Sequence, residues 1–302
     1  MKTVALVTAR EALALDEDMP ALVLALQEQG ARVETPFWDD PEVDWSRYDV
    51  AALRSTWDYA DRLEEFLEWT EQCARQTRLV NPPPVVRWNT DKHYLVHLAH
   101  AGVPVVPTRF VEPGADAAIE LTDFLAAGPG AVTVGDCAPF EQFVVKPSVG
   151  AGSRDAARYR RADEARARAH VERLLAEGRS VMLQPYLDRV DQRGETAVIY
   201  IGGEYSHAIR KGALLRLDEG LVQGLFAPEQ ISPREPDTEE REVAAAAFRA
   251  CAHDEPLYAR IDLVHDDRER PVVLELELTE PSLFFLHAPE AAGRYAETLL
   301  ES

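Results

Sequence analysis

Lysine is scarce in this chain, so the place of each lysine is informative. Of the 32 basic residues, only Lys2, Lys92, Lys146 and Lys211 are lysines. A lysine ammonium is a compact charge on a flexible stem that can reach a phosphoryl oxygen from one side, whereas arginine presents a planar fork. The last three lysines lie in segments that could face a nucleotide phosphate. We therefore predict that they contact phosphate, the alternative being surface lysines left at random by an arginine-rich composition.

A glycine-containing loop follows Lys146 at the end of a predicted strand. The segment reads Phe143-Val-Val-Lys-Pro-Ser-Val-Gly-Ala-Gly-Ser153. Backbone amides in such a loop can surround phosphate oxygens, because glycine lets the main chain approach closely. It is not a Walker A motif, in which the lysine follows the glycines, and a plain hairpin turn would also explain it. The loop residues expected near phosphate are Ser148, Gly150, Gly152 and Ser153.

A third group of residues places carboxylates on two predicted strands. Arg260 and Asp262 share one strand, and Glu275 and Glu277 share the next. Side chains two residues apart on a strand lie on one face, so neighbouring strands can bring the three carboxylates together. Such a cluster repels itself without cations, and an all-oxygen ligand set suits Mg²⁺. The sequence predicts a magnesium site at Asp262, Glu275 and Glu277, unless the two glutamates point to solvent.

Hydrophobic periodicity predicts the elements that position these residues. The N-terminal region has an α/β rhythm with parallel strands, and Lys92 is expected in the first turn of a helix that follows a rigid triple-proline turn. The predicted strands are 3–7, 31–37, 50–53, 180–184, 196–201, 205–211, 258–264 and 272–278, with another from residue 143. The predicted helices are 19–29, 62–76, 90–101, 161–177, 237–252 and one at the C-terminus.

Composition and charge narrow the class of protein. The chain has 302 residues, 46% of them hydrophobic, and a formal net charge of −21. Nucleic acid and anionic membrane surfaces would repel such a chain, so neither is expected as a partner, and a homo-oligomer is left open. The three cysteines have no metal-binding spacing, which indicates reduced thiols. The N-terminus has no signal-type apolar run, so we expect a cytoplasmic protein.

Taken together, these motifs resemble the ATP-grasp superfamily of carboxylate ligases over about residues 88 to 282. The resemblance implies that Lys92 and Lys146 reach the phosphates of ATP and that the glycine loop closes over them. The segment Gln184-Pro-Tyr-Leu187 is similar to the hinge that frames adenine in that superfamily. By resemblance, the nucleotide contacts are Gln184, the main chain of Tyr186 and Leu187, and Asp191 as the ribose-binding acid.

The same resemblance implies an α/β (α+β) fold in three parts and roles for three cations. The parts are an N-terminal parallel α/β domain (1–108), a small lid subdomain (109–187) and a C-terminal mixed-sheet subdomain with the magnesium site (188–302). Arg260 matches the arginine that steadies the acyl phosphate. Arg210 and Lys211 resemble phosphate-side or substrate-side cations, and the sequence does not show which of them faces the site. Glu277 stands where the superfamily usually has asparagine, so its role is open.

The chemistry implied is ATP- and magnesium-dependent activation of a carboxylate as an acyl phosphate, which an amine then displaces. No protein nucleophile is needed, and Ser282, His287 and Cys137 are given no role.

The segment Arg54-Ser-Thr-Trp-Asp-Tyr59 follows a buried strand, where parallel sheets present ligand-binding groups. Arg54 is predicted to hold the carboxylate of a small amino-acid-like substrate and Asp58 its amino group, while Trp57 and Tyr59 could simply pack between domains. This segment, with the run from Leu274 to Phe284, resembles the branch of O-ureido-D-serine cyclo-ligases, which form D-cycloserine with loss of carbon dioxide and ammonia. An intermolecular carboxylate–amine ligase and a non-catalytic nucleotide sensor are the alternatives.

Overall fold

A computed structural model describes residues 1–130, 139–217, 230–251 and 256–301 of the chain. The strands are β1 (Thr3–Thr8), β2 (Arg32–Glu34), β3 (Val50–Ser55), β4 (Arg78–Val80), β5 (Arg109–Val111), β6 (Gln142–Pro147), β7 (Ala157–Arg160), β8 (Val181–Pro185), β9 (Glu195–Ile201), β10 (Glu204–Lys211), β11 (Ile231–Pro233), β12 (Tyr258–His265) and β13 (Pro271–Glu277). The helices are α1 (Met19–Glu28), α2 (Leu63–Ala74), α3 (Pro83–Asn89), α4 (Tyr94–His100), α5 (Ala117–Ala127), α6 (Glu164–Ala176), α7 (Val190–Arg193), α8 (Thr238–Arg249) and α9 (Pro289–Glu301).

The N-terminal sheet has the parallel order β2-β1-β3-β4. Its central strands β1 and β3 are almost entirely buried because both faces are covered, which is why they read as continuous apolar runs. One face packs against α1 and α9 and shares a core with β9 of the C-terminal sheet, and the other face packs against the aromatic side chains around α2.

The two remaining sheets of the described chain are antiparallel throughout their paired strands. The middle sheet has the order β5-β8-β6-β7 and is covered by α5 and α6. The C-terminal sheet has the order β11-β10-β9-β12-β13. Its β12–β13 hairpin pairs Asp262 with Glu275 and Arg260 with Glu277, so the predicted carboxylates do lie on adjacent strands.

The predicted helix over residues 90–101 is wrong in one respect, because the structure has two short helices here. Helix α3 begins at Pro83, inside the segment expected to be only a turn, and α4 begins at Tyr94. Between them the Lys92 amide donates to the Ser148 carbonyl at 3.0 Å, and Asp91 Oδ1 accepts from the His93 amide at 3.1 Å. These bonds draw the chain off the helical path, so Lys92 lies in a turn before α4.

The segment that carries α3 and α4 packs on the C-terminal sheet. Val85, Leu95 and Val103 share a core with Ile261 and Leu276 of β12 and β13. The domain limits 1–108, 109–187 and 188–302 stay a prediction. The end of the first predicted domain packs on the sheet of the third. Within the described residues, no helix is both long and apolar enough to cross a lipid bilayer.

Candidate active site

A cavity of about 550 Å³, here called the cavity, lies where the three sheets approach one another. Its walls hold three of the four lysines of the chain: Lys92 from the turn before α4, Lys146 from β6 and Lys211 from β10. Facing them are Glu275 and Glu277 of β13. The fold therefore gathers the lysines and carboxylates that are distant along the sequence, which is the arrangement needed to bind a polyphosphate with its metal.

Lys92 links the glycine loop (residues 148–153) to the carboxylate strand. Its Nζ lies 2.8 Å from Glu275 Oε1 and donates to the Gly150 carbonyl at 2.9 Å. Burial opposes the charge, but the neighbouring carboxylates, Glu275 foremost, together raise the pKa of Lys92. Glu275 is held ionised in turn: burial opposes its charge, and Lys92 and Lys146 lower its pKa. This pair is charged and ready for ligands at neutral pH.

Lys146 stands at the end of β6 and also lines the cavity. Burial lowers its pKa, and Glu275 only partly offsets that effect. A buried ammonium gains from an anion placed beside it, because the anion favours the charged form. The position fits the predicted contact with a nucleotide phosphate.

The glycine loop contributes Gly150, Gly152 and Ser153 to the cavity wall, as expected for a loop that covers phosphates. Gly152 has a φ of 63°, a conformation that favours glycine. Ser148 is different, because it is 2% exposed and is not part of the wall. Its amide donates to the Ser180 carbonyl and its carbonyl accepts from Lys92, so it anchors the loop and the expected phosphate contact is not made by its side chain.

The hinge residues Gln184, Tyr186 and Leu187 line one end of the cavity. Gln184 Nε2 donates to Thr108 Oγ1 at 2.8 Å, which leaves its side-chain oxygen as an acceptor for a ligand amine. The Tyr186 amide donates to the Gln142 carbonyl at 2.8 Å. Contacts of this segment with adenine stay a prediction, and Tyr186 can offer its carbonyl more readily than its amide.

Asp191, expected to bind ribose, is not part of the cavity wall. Arg158 donates to both of its oxygens, at 3.1 and 3.0 Å, and the Tyr186 hydroxyl donates to Oδ1. Burial opposes its charge, and the Arg158 bonds hold the pKa of Asp191 low. The carboxylate that does line the cavity nearby is Glu195, the first residue of β9, which sequence reasoning missed.

Strand β10 resolves the choice between Arg210 and Lys211. Lys211 turns inward, with Nζ 2.7 Å from Asp262 Oδ2 and 2.9 Å from Glu195 Oε2. Arg210 turns to the opposite face, where its guanidinium donates to the main-chain carbonyls of residues 193 and 192. Adjacent strand residues must point to opposite faces, so only one of the two can serve the cavity. The expectation of a catalytic role for Arg210 is therefore corrected.

The predicted metal ligands divide into two kinds. Asp262 is 1% exposed and lies behind the cavity wall, held by two hydrogen bonds from Arg260, at 2.9 and 3.0 Å, and by Lys211. Burial opposes its charge, but these two cations hold the pKa of Asp262 below its usual value. Glu275 and Glu277 are on the wall. In the geometry shown, Asp262 positions Arg260 and Lys211, and the two glutamates are the oxygen donors that line the cavity.

Arg260 contacts both the buried Asp262 and a glutamate of the cavity wall. Its guanidinium contacts Glu277 as well as Asp262, and it also donates to the Ser282 carbonyl at 3.1 Å. Burial nevertheless raises the pKa of Glu277 to about 8, with Arg260 opposing the shift and neighbouring carboxylates adding to it. Ser282 and His287 line the cavity too, and Cys137 lies outside the described residues.

Arg54 does not reach the cavity, which corrects the prediction that it binds the substrate. Its side chain is 1% exposed and lies 3.2 Å from Asp18 Oδ2 and 3.8 Å from Asp16 Oδ1. Asp18 also accepts the amides of residues 283, 284 and 285. The buried ion pair thus ties the N-terminal domain to the loop after β13.

Asp58 is likewise turned away from the cavity. It accepts a hydrogen bond of 2.8 Å from Trp38 Nε1 and lies near Arg62. The residues on either side of it, Trp57 and Tyr59, line the cavity instead, because residues 57–61 form a single 3₁₀ turn that projects neighbours in different directions. Trp57 and Tyr59, which could simply have packed between domains, therefore form part of the cavity wall.

Glu280 is a further cavity residue that sequence reasoning did not select. It is 6% exposed and lies beside Tyr59. The Glu280 carbonyl accepts from Trp57 Nε1 at 3.3 Å. An acidic residue three positions after Glu277 was visible as part of the run Thr-Glu-Pro-Ser, but nothing local shows that the fold buries it.

Comparison with known proteins agrees with this geometry. Residues 4–81 match the family model described as the N-terminal domain of D-cycloserine synthetase DcsG. Over 306 aligned residues, the chain is 44% identical to the cycloserine biosynthesis protein DcsG of Streptomyces lavendulae, covering 100% of this chain and 99% of the relative. A crystal structure of D-cycloserine synthetase DcsG superimposes with a TM-score of 0.90 at 44% identity, covering 99% of each chain.

More distant structures share the fold. D-alanine–D-alanine ligase from Bacillus anthracis superimposes with a TM-score of 0.68 at 16% identity, covering 100% of this chain and 96% of that one. The ATP-grasp ligase PsnB, solved with a minimal precursor, Mg and ADP, gives 0.63 at 18% identity, with coverage of 99% and 97%. The ATP-grasp fold expected from the motifs is confirmed, and the full-length identity of 44% to a cycloserine biosynthesis protein supports the prediction of an enzyme that forms carbon–nitrogen bonds. The chain belongs to the DcsG family of ATP-grasp ligases.

Proposed function

We propose that this ligase converts O-ureido-D-serine into D-cycloserine, using ATP and Mg²⁺. The observation that carries the proposal is the cavity in which Lys92, Lys146 and Lys211 face Glu275 and Glu277. A phosphoryl group in transfer requires cations on one side and a metal held by oxygen ligands on the other. The full-length identity of 44% to a cycloserine biosynthesis protein supports the choice of product.

Magnesium fits the donor set of the cavity. Glu275 and Glu277 present only oxygen atoms, and burial with neighbouring carboxylates raises the pKa of Glu277, which a cation would reverse. When bound there with ATP, magnesium would neutralise charge on the transferring phosphoryl group. Asp262 would support the site from behind by fixing Arg260 and Lys211.

The first step forms an acyl phosphate. A carboxylate oxygen of the substrate attacks the γ-phosphorus of ATP, the bond to the β-phosphate oxygen breaks, and ADP leaves. In this proposal Lys92 and Lys146 hold the phosphate oxygens and Arg260 steadies the acyl phosphate, which is supported by the position of all three in the cavity wall. These groups are fixed before the reaction, so they stabilise developing charge without reorganising.

The second step closes the ring. The ureido nitrogen that is bonded to oxygen attacks the acyl carbon, inorganic phosphate leaves, and that nitrogen gives up its proton. The carbamoyl group is then removed by one water molecule as carbon dioxide and ammonia. Because one bound molecule supplies both reacting groups, their effective concentration is high and no site for a separate amine is required.

The test is phosphate release from ATP with magnesium, in the presence and absence of O-ureido-D-serine, with the product identified by mass spectrometry. We expect one phosphate released for each product molecule of D-cycloserine mass. Turnover that requires a separate amine in addition to a carboxylate would replace the cyclisation with an intermolecular ligation. Turnover with the L enantiomer alone would contradict the stereochemistry.

A further inference from the structure

Glu280 lines the side of the cavity that the N-terminal domain forms. It lies in the loop after β13, on the side formed by Trp57 and Tyr59 of the N-terminal domain, whereas the glycine loop and the hinge come from the middle sheet. Its carboxylate lies beside Tyr59. A buried acceptor in this place is available to a ligand held against the N-terminal side of the cavity.

The loop that carries Glu280 is rigidly held. Asn81 Nδ2 donates to the Leu278 carbonyl at 2.7 Å, and the Tyr258 hydroxyl donates to the Thr279 carbonyl at 2.8 Å. Asn89 Oδ1 accepts the Leu278 amide at 2.7 Å. These bonds come from buried side chains outside the loop, so Glu280 is fixed before any ligand arrives.

The cations of the cavity are engaged with carboxylates other than Glu280. Lys92 contacts Glu275, and Arg260 contacts Glu277 and Asp262. In the part of the chain that the structure describes, no basic side chain lies within ion-pair distance of Glu280, although Lys92 and Arg260 favour its charged form electrostatically, and the neutral Tyr59 lies beside it. Burial raises the pKa of Glu280 to about 7. A buried carboxylate in this situation is stabilised by a cation brought by a ligand.

We propose that the Glu280 carboxylate binds the primary ammonium group of the substrate, on the carbon next to the carboxylate that is activated. The inference rests on the proposed function, in which the substrate is an amino acid. The ammonium would bring a positive charge into direct contact with Glu280, and the charged pair would fix the substrate with its carboxylate toward the phosphates. Glu280 is then a specificity residue that distinguishes amino acids from hydroxy acids and simple carboxylic acids.

Two other acidic residues reach the same cavity and are weaker candidates. Asp18 already accepts three backbone amides and pairs with Arg54, so its oxygens are occupied. Glu17 lines the cavity but its side chain is exposed, where solvent screens a charge pair. Glu17→Gln therefore serves as the matched control for Glu280→Gln, because both remove one carboxylate from the wall of the cavity.

The experiment compares O-ureido-D-serine with 3-(ureidooxy)propanoate, which is the same molecule without its amine. For the unmodified enzyme, loss of the amine should lower kcat/KM by about 30-fold or more, as expected for a desolvated charge pair. In Glu280→Gln this preference should shrink to about threefold or less, while Glu17→Gln keeps it. The KM for ATP and the magnesium titration should change little in Glu280→Gln, because the lost interaction is confined to one charge pair on the substrate side.

Several results would overturn the proposal. Equal turnover of both compounds by the unmodified enzyme would do so without any variant, which covers the case that Glu280→Gln does not fold. A shifted magnesium titration in Glu280→Gln with the amine preference intact would place the carboxylate at the metal instead. A loss of preference in Glu17→Gln alone would assign the ammonium to Glu17.

The substrate and the ammonium site can fail separately. If O-ureido-D-serine supports no phosphate release, the proposed reaction is wrong. The ammonium site is then tested by calorimetric binding of D-serine and D-glycerate, which differ in an amine and a hydroxyl, to the enzyme loaded with magnesium and a non-hydrolysable ATP analogue. Preferential binding of D-serine that Glu280→Gln removes would support the site, and equal or absent binding would overturn it.

Discussion

Replacing Lys211 by methionine, with Arg210→Met as its control, separates a cavity residue from its immediate neighbour. The two side chains leave opposite faces of β10, and only Lys211 reaches Asp262 and Glu195. Methionine keeps much of the lysine stem and removes the charge. We expect Lys211→Met to lose activity and stability, and Arg210→Met to retain both.

The size of the stability loss follows from the contacts. Lys211 makes two ion pairs of 2.7 and 2.9 Å and its side chain is 7% exposed. Breaking a buried ion pair costs about 3–5 kcal/mol. Asp262 keeps its two hydrogen bonds from Arg260, so the lower end, about 3 kcal/mol, is expected. For a protein of this size that loss lowers Tm by about 5–10 °C.

The loss of activity in Lys211→Met is expected in addition to the loss of stability. A preorganised cation that stabilises transferring charge contributes about 10²–10³ in kcat. Among the described residues Arg210 donates to main-chain carbonyls, so its loss should cost about 1 kcal/mol and less than about threefold in kcat.

The assay is phosphate release at saturating ATP, measured at a temperature well below the Tm of each variant so that folded enzyme is compared. Thermal unfolding gives the second readout. If Lys211→Met keeps more than about a tenth of kcat, the lysine does not act on the reacting phosphate. Equal losses in Lys211→Met and Arg210→Met would mean that the face of β10 from which a side chain projects has no effect on activity or stability. That result would refute the assignment of Lys211, and not Arg210, to the cavity.

Three further predictions concern the metal and the substrate side. Glu275→Gln should raise the magnesium concentration for half-maximal activity about tenfold or more, and an unchanged titration would remove this residue from the metal site. Arg54→Ala leaves Asp18 as a buried charge without its cation, so we expect about 3–5 kcal/mol lower stability. The KM for the organic substrate should stay near normal in the folded fraction. A raised KM at unchanged Tm would instead show that Arg54 binds the substrate. Because burial raises the pKa of Glu277 to about 8, the half-saturating magnesium concentration should fall as pH rises through about 7 to 8.5, and in Glu277→Gln this dependence should be weaker.

The strands and the loop that carry the candidate site residues were predictable because each is recognisable from a short stretch of sequence. The buried runs of β1, β9 and β12 were recognisable from composition, and the glycine loop after Lys146 from its small residues. The two-residue period of β12 and β13 placed Arg260 with Asp262, and Glu275 with Glu277, before the pairing was known. The hairpin register then set Asp262 opposite Glu275.

What only the tertiary structure decided is which charged groups remain available to a ligand. Arg54, Asp58 and Asp191 looked like ligand-binding residues, but each is occupied by a partner from a distant segment: Asp18, Trp38 and Arg158 respectively. Glu280 had no motif of its own, and it becomes important because the fold buries it in the cavity wall beside Tyr59, where no basic side chain of the described residues forms an ion pair with it.

The physical reason is the range of the interactions. Strand alternation and loop conformation depend on neighbours in sequence, so the chain alone determined the predicted phosphate-binding lysines and the carboxylate strands, and the resemblance of these motifs to a known superfamily then indicated the ATP-grasp fold. The charge state of a side chain and its availability to a ligand depend on burial and on partners dozens to hundreds of residues away, as with Asp18 and the amide of Leu283. Those partners meet only when the three sheets pack, and that packing decides which residues face the substrate.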